Sequence, residues 1–257
     1  MKRHPLIFFI LVFALSVPFY ILSTTGAHMP GMSYLPASAL MGFLPATAAL
    51  ILTYRQSGSE GAFALLTSIF VFERKFSASW IFTALLFMPT VCVFEFWILN
   101  WTGNAVPMPQ IEGGQALFYF VAFFIGAIGE ELGWQGYAYP SLRVRHGVLK
   151  SAFILGVIWA LWHLIPFYEM GRSSNWIFWH LLGTVALRLI IVWLFENTKK
   201  SILIAVLFHT MINLTWALFP VAGSFYDPFT TFTILIVALG LIASKWHFSL
   251  HELRMKT

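Results

Sequence analysis

The sequence predicts an all-α polytopic membrane protein of eight transmembrane helices, and three observations predict it. The first is composition: of 257 residues, 59% are hydrophobic and only 10% charged, whereas a soluble domain needs about 25% charged residues to face water. The second is a series of apolar stretches, each close to the roughly 20 residues that cross a bilayer. The third is charge placement: with the N-terminus inside, 13 of the 15 Lys and Arg residues fall in connections on one side. That is the positive-inside pattern, and it requires an even number of spans with both termini cytoplasmic.

Taken in order, the expected spans are 6–23, 34–54, 79–101, 115–138, 149–168, 175–195, 202–219 and 228–244. The N-terminal Met-Lys-Arg-His and its apolar sequel resemble a secretory signal, but no small-residue cleavage site stands out, so they read as a retained first span. The segment 60–73 is apolar yet short, and reads as a helix in or near the membrane interface. The fourth span is the least regular, because its last turns hold Glu130 and Glu131. A helix ending at about residue 129 would leave both in a loop instead. The whole chain, 1–257, reads as one transmembrane domain with no soluble domain appended. Its net charge of +5 is then a topology signal, and nucleic-acid binding is unnecessary. A single cysteine, Cys92, excludes an internal disulfide framework or a Cys-based metal site.

Function is sought among the polar groups at membrane depth, where an ionisable side chain costs about 2.5–3.5 kcal/mol on insertion scales. They are Glu95, Glu130, Glu131, His163, His180, Arg188, His209 and Asn213. His209 and Asn213 are four residues apart and stack on one helix face. With a rise of 1.5 Å per residue, Glu130 lies about 10–15 Å from the inner end of its span, His163 about 20 Å, His209 about 10 Å and Asn213 about 17 Å. These depths are compatible with one cavity. One carboxylate and two imidazoles match the His₂Glu ligand set of an open zinc site, with Glu130, His163 and His209 as ligands. Without metal, the same groups could activate a water and stabilise an oxyanion. Both options are hydrolytic. Asn213 suits a carbonyl or oxyanion. Glu131 points about 100° from Glu130 and suits support of a histidine.

Plainer readings stand beside these. His180 reads as a hydrogen-bond partner between helices, and Asn213 alone would be ordinary interhelical glue. Glu95 and Arg188 are candidates for a buried structural pair. Trp159 and the other tryptophans of the later spans read as packing and interfacial anchors.

The run Gly129-Glu-Glu-Leu-Gly-Trp-Gln-Gly-Tyr-Ala-Tyr-Pro140 resembles the first motif of the CPBP intramembrane peptidases, the CAAX-protease and bacteriocin-processing family. Trp159 to His163 resembles its second motif, Phe-x-x-x-His, and His209 to Asn213 its third, His-x-x-x-Asn/Asp. Three motifs in family order are far more specific than any one. They span about residues 115–215, the expected catalytic core. The resemblance implies an endopeptidase whose cavity opens to the cytosol and whose substrate is a hydrophobic or lipidated peptide, as in CAAX or bacteriocin processing. It implies Glu130 as water activator with Glu131 in support, and His163, His209 and Asn213 on the water, a metal or the oxyanion. Trp134 and Gln135 become the substrate-binding candidates. Gln135 stands where the motif carries Arg, which leaves an altered specificity or an inert scaffold or immunity protein as the second reading. A proton-coupled transporter is the third, disfavoured by the missing internal repeat.

Overall fold

The computed structural model describes residues 4–70 and 77–245. Lys2, Arg3, Arg74, Lys75, Arg254 and Lys256 of the charge count, and the end of the 60–73 segment, lie outside the described residues. Among the described residues there are ten α-helices: α1 (Pro5–Ser23), α2 (Leu44–Thr67), α3 (Ser79–Trp101), α4 (Gly113–Gly133), α5 (Tyr139–His146), α6 (Val148–Trp162), α7 (Leu164–Glu169), α8 (Ser174–Asn197), α9 (Ile202–Leu218) and α10 (Pro228–Lys245). Six helical stretches are long and apolar enough to cross a membrane, and Ile202–Leu218 and Pro228–Ser244 are shorter apolar helices. All eight fall on the expected spans.

The second span differs at both ends. Its start is a short antiparallel hairpin, β1 (His28–Met29) and β2 (Met32–Pro36), followed by a 3-10 helix over Ala37–Phe43. The turn is Pro30-Gly31, where Pro sets one dihedral and Gly31 takes φ 74°. Beyond residue 54 the helix does not stop. It runs on to Thr67 through a kink at Gly58 (φ 67°, ψ −164°), a left-handed backbone that glycine adopts without a Cβ penalty. The expected interfacial segment is therefore, over its described part, the second limb of a kinked helix.

The fifth span is also divided. α6 ends at Trp162 and α7 begins at Leu164, with His163 in the joint at φ −87°, ψ −5°. The cause is Pro166, which has no N–H to offer the carbonyl four residues back, that of Trp162. The freed carbonyl accepts a hydrogen bond from the Tyr20 hydroxyl of α1 at 2.8 Å. Broken helices are tolerated in membranes when neighbours re-satisfy the backbone in this way.

Helix α4 is the central element. It packs against α2 on one side and α9 on the other, while α6 and α8 pair and α8 meets α10. Its approach to α2 is unusually close. A Cβ at Gly129 would stand 2.7 Å from the Gly42 carbonyl oxygen, and one at Gly133 would stand 2.5 Å from the Pro45 backbone. Two glycines four apart make the small-residue face that lets helix backbones touch. Glu130 and Glu131 lie between them. They are helical, with relative exposures of 7% and 0%, so the alternative of a loop after residue 129 is overturned. After Gly133 the chain widens into a π-helical turn, Trp134–Ala138, before α5; such turns often mark functional sites.

Candidate active site

A cavity of about 350 Å³ opens beside α4. Glu130, His163, His209 and Asn213 all line it, as do Trp159 and His180. Its remaining walls are largely apolar, with Met29, Met32, Met41, Met88 and Met170 among them. Three different stretches of chain, α4, the joint between α6 and α7, and α9, thus bring the expected hydrolytic groups to one space.

Within it the two glutamates have separate surroundings. Oε2 of Glu130 accepts from the Trp159 indole at 2.7 Å and from the Trp134 indole at 3.3 Å. Its other oxygen, Oε1, stands 3.8 Å from Nε2 of His209. Glu131 does not line the cavity. One of its oxygens pairs with Arg188 Nη1 at 2.7 Å and the other meets His209 Nδ1 at 2.8 Å. This is the supporting position expected for it. A carboxylate accepts, so His209 Nδ1 carries a proton toward Glu131 and its Nε2 faces Glu130. His163 is fixed likewise: the Trp159 carbonyl lies 2.8 Å from its Nδ1, which leaves Nε2 unprotonated in the neutral ring. Asn213 lines the cavity one turn beyond His209.

Arg188 and Trp159 are the participants that sequence reasoning misplaced. Arg188 does not pair with Glu95. Glu95 accepts instead from the Asp227 backbone N–H at 2.7 Å and the Thr231 hydroxyl at 2.5 Å, near the start of α10. Arg188 is fully buried beside Glu131, and its guanidinium lies 4.0 Å from the centre of the Trp159 ring. An intramembrane arginine near an intramembrane carboxylate was a visible signal, but sequence offers no means of choosing among three glutamates. Trp159 is more than packing, because its N–H reaches Glu130.

Gln135 and Trp134 do not line the cavity. Gln135 is fully buried, and its carboxamide has no hydrogen-bond partner among the described residues. Trp134 is fully buried, with its ring edge-on to Phe8 and Trp162. Of the two, Trp134 contacts Glu130, through its indole N–H at 3.3 Å. His180 is not the interhelical hydrogen-bond partner expected: its ring packs on Trp176 and Phe167 with centroids 4.5 and 4.4 Å away, and its Nδ1 finds no partner among the described residues.

Among the described residues no three His, Cys, Asp or Glu side chains form a group arranged to hold a metal ion. His209 and His163 each engage Nδ1, with Glu131 and with the Trp159 carbonyl, which leaves both Nε2 atoms and Oε1 of Glu130 as the groups not held by protein hydrogen bonds.

Two comparisons bear on this geometry. The sequence model of the family described as Type II CAAX prenyl endopeptidase Rce1-like matches residues 112–215, the stretch that holds Glu130, Glu131, His163, Arg188, His209 and Asn213. A CAAX prenyl protease 2 of Methanococcus maripaludis is 29% identical over 231 aligned residues, which cover 83% of this chain and 84% of the relative.

Proposed function

We propose that this integral membrane protein, which is similar to the Rce1-like CAAX prenyl endopeptidases over residues 112–215, is an endopeptidase whose cavity hydrolyses a peptide bond of a hydrophobic or lipidated peptide by glutamate-activated water. The observation that carries the reading is the meeting of Glu130, His163, His209 and Asn213 around one cavity. Oε1 of Glu130, the oxygen not occupied by the indoles, takes a proton from the attacking water. The water oxygen bonds to the scissile carbonyl carbon, and the carbonyl oxygen becomes an oxyanion. Asn213 supplies a side-chain N–H donor to that oxyanion, and the unprotonated Nε2 of His163 accepts from the water's second O–H. Collapse breaks the C–N bond, and Glu130 returns its proton to the leaving amine.

Glu131 and Arg188 act on this centre from behind. Their ion pair anchors Glu131, and Glu131 orients His209 through Nδ1. These steps use the chain's own groups. Zinc, which the His and Glu types alone would allow, has no three-ligand set prepared for it among the described residues. The mostly apolar cavity favours a prenylated CAAX-type substrate over a polar peptide, and the name of the archaeal relative points the same way. The lysine and arginine distribution supports both termini, and the basic connections, on the cytoplasmic side. Gln135 is not among the residues lining the cavity, so the exchange of Arg for Gln there takes no charge from the lining, which weakens the main argument for the inert reading.

The test is cleavage of matched prenylated and unprenylated peptides by purified protein, with a chelator in a parallel set. The reading expects the prenylated peptide to be cut and the chelator to have no effect. Chelator-sensitive cleavage would replace the metal-free steps, and preference for the unprenylated peptide would overturn the substrate class.

A further inference from the structure

We propose that Trp159 is the positioning residue for Glu130: its indole N–H holds one carboxylate oxygen in place so that the other is presented to the cavity. The proposal rests on the peptidase reading for its kinetic consequence but not for its geometry. A glutamate side chain has three rotatable bonds, and ordering it costs conformational entropy at each use. Here Oε2 is fixed by a 2.7 Å bond from an indole that is only 3% exposed, so the orientation is set in advance. Oε1 is thereby turned toward His209, at 3.8 Å, and toward Gly42, where a Cβ would lie 3.7 Å from it. Glycine at 42 leaves that oxygen accessible.

Three further contacts make Trp159 the hub of the site. The Arg188 guanidinium over its ring, 4.0 Å from the centre, draws electron density from the indole and strengthens its N–H as a donor. Its ring stands edge-on to His163 and His209, with centroids 5.4 and 5.2 Å away. Its carbonyl accepts from Nδ1 of His163. One residue thus orients the base through its side chain and an imidazole through its backbone. Trp134 adds only a longer bond, 3.3 Å, to the same oxygen.

Phenylalanine at 159 keeps an aromatic ring beside Arg188 and the backbone bond, and removes the N–H together with the pyrrole ring that carries it. A hydrogen bond to a charged group is worth about 1.5–3 kcal/mol, so Trp159→Phe is expected to lower kcat by roughly 10- to 100-fold. KM stays within about twofold, because the lost bond does not touch substrate. Trp97→Phe, on the exposed face of α3, changes neither constant. Unchanged kcat in Trp159→Phe, or a fall carried by KM, would overturn the proposal.

A second measurement is independent of turnover. In indole-¹⁵N-labelled protein, the Nε1–H resonance that disappears in Trp159→Phe is expected downfield, and to move upfield in Glu130→Gln, where a neutral amide replaces the carboxylate. A resonance unmoved by Glu130→Gln would refute the clamp even if Trp159→Phe folds poorly. Should the wild-type protein cleave no peptide while the resonance moves, the peptidase reading falls and the clamp stands.

Discussion

Replacing Arg188 by methionine isolates the buried ion pair behind the site. Methionine fills most of the space of the arginine stem, so the change removes charge with little cavity. Arg188 and Glu131 are 2.7 Å apart and neither side chain is exposed. Removing one partner of a buried pair strands the other, which costs about 3–5 kcal/mol. The lower end is the better expectation, because Nε and Nη2 of Arg188 make no hydrogen bond among the described residues, so the native pair is itself incompletely satisfied. At about 2–4 °C per kcal/mol for a chain of this size, the melting temperature should fall by roughly 6–12 °C. The assay is a tryptophan-fluorescence melt of purified protein in detergent. Adding Glu131→Gln to Arg188→Met removes the stranded charge and should restore about half of the loss or more. An Arg188→Met variant that melts with the wild type would refute the idea that this pair holds the site together. A double variant less stable than Arg188→Met would refute the stranded-charge mechanism.

Three other outcomes follow from the same structure. Gly133→Ala drives a Cβ into the Pro45 backbone and should cost about 1–3 kcal/mol, read by the same melt, whereas Gly183→Ala, with nothing within 4 Å of its Cβ, should be neutral or slightly stabilising. Thr231→Val takes a donor from the buried Glu95 carboxylate and should lower stability by about 1–3 kcal/mol, with kcat of the surviving folded protein unchanged. Arg143→Ala breaks a pair with Glu196 whose arginine side chain is 38% exposed, and should cost under about 1 kcal/mol, less at high salt.

What the sequence made legible was whatever hydropathy, charge placement and short spacings encode. The apolar helices followed from composition and hydropathy, and the three motifs lie within the stretch that the Rce1-like family model matches. The four groups around the cavity could be singled out because each is polar in an apolar run. What stayed hidden depended on three-dimensional pairing. Arg188 had three possible carboxylate partners, and only the packing of α4, α8 and α9 selects Glu131. Trp159 reads as one more aromatic anchor among the tryptophans of the later spans, so its N–H to Glu130 left no trace in a pattern search. The joint at His163 had a signal in Pro166, and the hairpin had one in Pro30-Gly31. Both were masked by the apolar residues around them, which a span-length window averages together. That Glu131 would face away from the cavity lined by Glu130 was readable from its angular offset alone, because neighbouring helical residues cannot face the same space.

The central claim is that Glu130 is the base of a hydrolytic site, and the most direct test is the cleavage rate of Glu130→Gln beside the wild type on a prenylated peptide. Glutamine keeps the shape of the side chain and cannot take a proton. The account predicts that the variant melts close to the wild type and that cleavage is abolished. A folded Glu130→Gln protein that cuts the peptide at the wild-type rate would contradict it.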